Sequence, residues 1–331
     1  MNGDFTQKLK VFFIQYSIVC AMFVAVVVFC FIDPTLISVR NIRNIFSDLA
    51  PLVIASIGVA LCFFTGHMDI TSGVLASFAG LIAGSFMQRM DLTARFFSFG
   101  AASAFIIIPL IVILFSLFGA LYAFIVAKTK IHIRIFSLAS IVLLLGVSHV
   151  YASYYNFDTL EIAGFTDQFL SFGAGYVGSS PANSIPFTVI TSIIVVIAVF
   201  VYFKFLKLDF NKIGMDDSAK SFKNLNLFYM PATALFALAG IMIAARNNVA
   251  TPTFAINLST ETITICLIAG LSLKNNRGNL IAVIITSFLY AALMYCVKFI
   301  GLNSYLTIVI QGLLFMGAVF LDYFISIKKT A

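Results

Sequence analysis

Long, unbroken apolar runs decide what this chain can fold into. Residues 101–127 alone exceed the ~20 apolar residues that a bilayer-spanning helix needs, and comparable runs recur along all 331 residues. Strands of a membrane barrel alternate apolar and polar residues, and these runs do not alternate. Composition points the same way. Apolar residues make up 61% of the chain and charged ones 10%, where soluble domains hold roughly 45–50% and about 25%. Mean hydropathy is +1.07. A water-soluble fold of this length has too little interior to hide that much apolar surface. A soluble globular protein, a disordered chain and a secreted disulfide scaffold are thereby excluded. The expected fold class is all-α: a polytopic helical membrane protein, 1–331 forming one transmembrane domain.

Ten segments are long or apolar enough to count as spans: about 11–32, 46–65, 72–88, 101–127, 135–152, 186–205, 227–245, 259–273, 279–297 and 303–326. The first apolar run is longer than the core of a signal peptide and lacks a small-residue cleavage site, so it is expected to stay as a helix. Ten crossings put both termini on one side. With the N-terminus in the cytoplasm, 14 Lys and Arg residues fall inside, Lys128, Lys130 and Arg134 among them. Six fall outside: Arg40, Arg43, Arg89, Arg95, Arg246 and Lys298. Positive charge concentrates on the cytoplasmic side of membrane proteins, so both termini are expected in the cytoplasm and the chain in the cell's inner membrane. The net charge of +7 is thus a topology signal among lipid and not a nucleic-acid surface. Two stretches between spans stand out, an outer loop at 153–185 and a highly charged inner stretch at 204–226. No short internal repeat is visible. The five cysteines lie in or beside apolar runs and read as buried small thiols.

Chemical motifs are sparse. There is no GxxxxGK[ST], HExxH or GxSxG pattern, and His67, His132 and His149 are scattered. Neither a catalytic residue nor a metal site is expected. Carboxylates at membrane depth are few: Asp69, Glu261 and Asp322.

The most informative stretch is FFTGHMDITSG, residues 63–73. Gly66 and Gly73 bracket His67, Asp69, Thr71 and Ser72 between two apolar runs. Glycine weakens a helix, and backbone freed at membrane depth needs protein or water partners. One reading is a broken helix beside a permeation path. The other is a short loop at the membrane surface. The residues leave both open.

Gly66 to Gly73 resembles the GGIDLSxG signature of sugar-type ABC importer permeases, the membrane subunits of ribose, galactose and xylose uptake systems; His67 stands where that signature has its second glycine. LAGIMIAARNNVATPT (238–253) is similar to the family's LAG…AR…PT segment. ETITICLIAGLSLKNNRG (261–278) is similar to its D…GGTSLxGGxG, with Glu261 for the Asp and Asn275 and Asn276 for two glycines. Ser304-Tyr305 and Asp322 match its final helix. The resemblance covers about 50–326 in order, and it marks a divergent member. It implies a non-catalytic membrane subunit that translocates a monosaccharide inward and binds no cofactor itself. The implied partners are a cytoplasmic ATPase holding ATP-Mg, an extracytoplasmic sugar-binding protein, and a second permease copy or paralogue. Gly66, His67, Asp69, Thr71, Ser72, Gly73 and Glu261 become candidate pathway residues.

IGMDDSAK, residues 213–220, is similar to the family's IGGNEEAAR coupling segment, which docks on the ATPase. Gly214, Asp216, Asp217, Ala219 and Phe222 are the candidate contacts. Asp216 suits an N-cap and Asp217 a first helical turn, Ala219 fits a groove, and Phe222 suits an anchor. The bland alternative is a solvated loop carrying inside positive charge. A ten-helix secondary carrier driven by an ion gradient through Asp69 and Glu261 is the competing function.

Overall fold

The computed structural model describes residues 16–89, 96–97, 103–178, 184–206, 222–271, 278–301 and 304–330. Within them the chain is almost wholly helical. The helices are α1 (Ser17–Ile32), α2 (Val39–Phe64), α3 (Ser72–Phe86), α4 (Ala104–Thr129), α5 (Ile133–Ser153), α6 (Asp167–Ala174), α7 (Phe187–Phe205), α8 (Phe222–Asn247), α9 (Leu258–Ile268), α10 (Leu280–Phe299) and α11 (Ser304–Thr330). Every segment expected to span contains a helix, but the lengths are unequal. Among the described residues, α2, α4, α5, α7, α8, α10 and α11 are long and apolar enough to cross a bilayer, whereas α1, α3 and α9 are shorter. At 1.5 Å per residue, the 11 residues of α9 reach only ~16 Å, about half of a bilayer core. The molecule is an all-α, multi-pass membrane protein.

Burial sorts the helices by neighbour. Helix α8 is the hub, packed against α2, α3 and α4 along its length, while α10 packs on α2 and α11 on α9. Lipid gives helices no hydrophobic reason to associate, so membrane interfaces rely on close backbone approach through small residues. Gly240 of α8 supplies it, because a Cβ there would collide with the Ala76 backbone of α3. The outer shell is apolar toward its surroundings: Phe31, Phe105, Val142 and Phe320 are largely exposed, as lipid-facing residues should be.

The described residues between α5 and α7 are structured. They hold α6 and three two-residue strands, β1 (Ile162–Ala163), β2 (Tyr176–Val177) and β3 (Ile185–Pro186). β2 pairs antiparallel with β3, and β1 pairs antiparallel with β4 (Val249–Ala250), just after α8. Side chains lock this cap down. The Gln88 amide nitrogen donates to Tyr155 Oη and the Ala163 carbonyl, its oxygen accepts from the Phe96 N–H, and Asn248 Oδ1 accepts from the Phe165 N–H. Arg43 of α2 lies over the Tyr176 ring, 5.3 Å from its centroid. The start of α2 and the ends of α3 and α8 therefore share one face of the molecule with this cap.

One plan occurs twice. A 26-residue helix containing a proline, a break and then a short helix describes α2 (Pro51) leading to α3, and again α8 (Pro231) leading to α9. The two units share no obvious sequence pattern.

Candidate functional site

The first break, residues 65–71, is folded into the protein rather than laid on its surface. Gly66 takes φ +79°, a left-handed value that costs a glycine little, and the chain turns there out of α2. Asp69 is 1% exposed, Thr71 and Ser72 are equally buried, and His67 and Gly66 are half-buried. Asp69 Oδ1 accepts the Thr71 N–H at 2.9 Å, which places a carboxylate at the amino end of α3. Anions are favourable there, because the unpaired N–H groups of a helix start carry partial positive charge.

The second break, 251–257, runs down the side of α3. Gly84 lies against Phe165 and Ala250 near the cap; the Ala255 N–H donates to Ser77 Oγ at 3.0 Å; Gly73 faces the Ala255 and Ile256 carbonyls. From Gly84 to Gly73 is ~16 Å of helix at 1.5 Å per residue, so this segment re-enters the helical bundle deeply before α9 begins. The amino ends of α3 and α9 thus meet inside the protein.

A single hydroxyl joins them. Ser259 Oγ donates to the Ile70 carbonyl at 2.9 Å and accepts from the Gly73 N–H at 2.7 Å and from Ser72 Oγ at 3.3 Å. Its one proton and two lone pairs are all used. Ser72 Oγ also reaches Thr262 Oγ1, 3.5 Å away. The Thr71, Gly73 and Ala255 N–H groups and the Ile70 carbonyl, released at the two breaks, find side-chain partners in the protein, as non-helical chain at membrane depth requires. Ser259 did not stand out in the sequence. Its one sign is a hydroxyl at the start of a short apolar helix, which is too common to single it out.

The candidate pathway residues do not form one cluster. Gly66, Asp69, Thr71, Ser72 and Gly73 belong to the first break. His67 lines a cavity of about 440 Å³ with Lys130, His132 and Leu225, at the end of the molecule away from the cap. Glu261 sits in the first turn of α9, accepts from Gln311 Nε2 at 2.7 Å, and faces a separate cleft of about 200 Å³. Asp48, Arg246, Tyr290 and Lys298 also line this cleft, and Asp48 is ion-paired with Arg246 at 2.9 Å. Asp48 lies near the expected start of a span, so sequence position alone does not mark it as a membrane-depth carboxylate. The helix in fact begins at Val39, which sets Asp48 well inside it. Gly214, Asp216, Asp217 and Ala219 lie outside the described residues. Phe222 opens α8, is 42% exposed, and meets Phe124 edge-on at 5.8 Å. Among the described residues no group of three His, Cys, Asp or Glu side chains is placed to hold a metal ion.

Comparison with known proteins adds family to geometry. The chain is 26% identical to the ribose import permease protein of Haemophilus influenzae over 328 residues, covering 96% of each chain. It is 25% identical to the galactose/methyl galactoside import permease protein of Escherichia coli K12 over 318 residues, 92% of this chain and 93% of the relative. With the ribose import permease protein of Bacillus subtilis it shares 24% over 319 residues, 91% and 90% of the two chains. No solved structure matches it. Residues 41–319 match the family described as "Branched-chain amino acid transport system / permease component". That match runs from the first turn of α2 into α11 and takes in both breaks, so the chain belongs to this family of transport-system permease components and, within it, is similar to the sugar ABC importer permeases.

Proposed function

We propose that this chain forms the membrane pathway of an ATP-binding-cassette importer in the inner membrane and carries a monosaccharide of the ribose or galactose type inward. The observation that carries this reading is the reach of the likeness: relatives named as ribose and galactose import permeases align over nine-tenths or more of both chains. The family match also spans the whole packed set from α2 to α11. Helices α1, α3 and α9 complete ten membrane segments with both termini in the cytoplasm, which puts the cap of β1–β4 and α6 outside. There a sugar-binding protein delivers solute.

Energy comes from a separate cytoplasmic ATPase that binds ATP-Mg and docks on 204–226 through Gly214, Asp216, Asp217, Ala219 and Phe222. The exposure of Phe222 at the amino end of α8 suits such an anchor. Because α8 touches α2, α3 and α4, a push on its start reaches both breaks. Gly66, His67, Asp69, Thr71, Ser72, Gly73 and Glu261 lie along the solute's route. A second copy or a paralogue completes the pore. The permease is then a two-state element whose balance its partners set. The ion-gradient carrier gives way, since Asp69 is buried and accepts the Thr71 N–H at the amino end of α3, while Glu261 faces a different cleft.

Uptake into inverted-control and right-side-out vesicles tests the proposal. With the ATPase and binding protein present, ribose or galactose uptake should require ATP and persist when ion gradients are collapsed. Uptake that runs on an imposed gradient without ATP would overturn it.

A further inference from the structure

The cleft between α2, α8, α9 and α10 has the chemistry of a solute site. Its volume is about 200 Å³, the scale of one small molecule and below the ~300 Å³ where drug-sized pockets begin. Two carboxylates (Asp48, Glu261) and two cations (Arg246, Lys298) line it, so its formal charges balance. Arg246 and Asp48 already satisfy each other at 2.9 Å, and Glu261 is held by Gln311. The wall also includes Tyr290, which is 1% exposed and whose hydroxyl has no hydrogen-bond partner. Buried hydroxyls are normally paired, and an unpaired one calls for an explanation. Pro51 and Met294 supply apolar wall beside the Tyr290 ring.

An inorganic ion would be opposed by charges of its own sign and would leave the apolar wall unused. Asp48 and Arg246 are committed to each other, so an amino-acid zwitterion would be left with Glu261 and Lys298 alone, and Glu261 already accepts from Gln311. A neutral polyol fits every feature: each hydroxyl both donates and accepts, so one ring can bridge carboxylate, cation and phenol while its C–H face rests on the apolar wall. From this juxtaposition we infer that the Asp48–Arg246–Glu261–Tyr290–Lys298 cleft is a monosaccharide-binding station inside the permease itself. The inference rests on the importer reading and adds a specificity site to it. Asp48 and Arg246 are 38% and 25% exposed, so solute reaches the cleft from the cap side.

The test uses the full-length chain purified in detergent and, separately, the assembled transporter in vesicles. Radiolabelled D-ribose and D-galactose are the probes, with unlabelled L-leucine as competitor. At least one sugar should bind saturably to the isolated permease and resist leucine. Tyr290→Phe, which removes only the hydroxyl, and Glu261→Gln should each weaken binding about tenfold, as losing one buried hydrogen bond does. Thermal melting confirms that both variants are folded. If either fails to fold, Lys298→Met is read in its place. Absence of saturable sugar binding, displacement by leucine, or folded variants that bind like the parent would each overturn the station. ATP-dependent uptake in vesicles that both folded variants leave unchanged would sink the station and leave the importer standing. Uptake that needs no ATP would remove the importer reading itself.

Discussion

A few atoms at the meeting of α3 and α9 set the tolerance of the whole site. A Cβ on Gly73 would come within 2.5 Å of the Ile256 carbonyl oxygen and 2.7 Å of that of Ala255. Both are backbone, which cannot swing aside as a flexible side chain can. Overpacking of this kind costs about 1–3 kcal/mol, so Gly73→Ala should lower the melting temperature in detergent, and Gly73→Leu should lower it further. Ser259→Ala acts by a different route. It strips the Gly73 N–H and the Ile70 carbonyl of their partner, and each buried group left unsatisfied costs about 1–3 kcal/mol. Ser153→Ala is the control, because Ser153 Oγ only donates to the Val150 carbonyl of its own helix at an exposed position. The control should melt within about 0.5 kcal/mol of the parent, as surface changes do. Equal losses from Ser259→Ala and Ser153→Ala would show that Ser259 is not the bridge.

At the level of elements, α2 and α8 are joined near the cap by the Asp48–Arg246 pair. Both side chains are partly exposed, 38% and 25%, and pairs so placed contribute about 0–1 kcal/mol, with salt reducing even that. A double-mutant cycle with Asp48→Asn and Arg246→Gln should therefore return a coupling under about 1 kcal/mol that fades at high ionic strength. The hold between α2 and α8 comes instead from their buried interface. The short helices are the sensitive elements. With 11 residues, α9 is too short to nucleate or persist alone, and it depends on the surfaces of α2, α3, α10 and α11. Its place in the fold is set by its neighbours and not by its own propensity.

For the molecule as a whole, the expectations concern sidedness and power. Reporter domains fused at either terminus should both be active in the form that requires the cytoplasm; opposite results for the two ends would mean an odd number of crossings. Reversing charge at Asp216 and Asp217 to Lys should abolish ATP-driven uptake while leaving the melting temperature of the permease unchanged. Retained uptake in that variant would show that the inner stretch is a solvated loop and not a docking segment. The binding station places selectivity in the permease as well as in the binding protein.

Apolar runs alone settled that the chain lives in lipid as a set of helices, because hydrocarbon admits no other way to satisfy so much backbone in such sequences. Position along the chain also exposed the first break, since Gly66 and Gly73 around Asp69 interrupt a pattern that is otherwise continuous. The second break was less legible: Pro252 and the polar residues after it read as an ordinary connection between spans. What they do depends on α3, whose Ser77, Gly80 and Gly84 receive the 250–255 segment. The pairing of Ser259 with Gly73, 186 residues apart, and the gathering of Asp48, Arg246, Glu261, Tyr290 and Lys298 from four helices around one cleft belong to tertiary structure only. Periodicity and hydropathy register a residue's own solvent, whereas these sites are made by which distant backbones come close enough to exclude it.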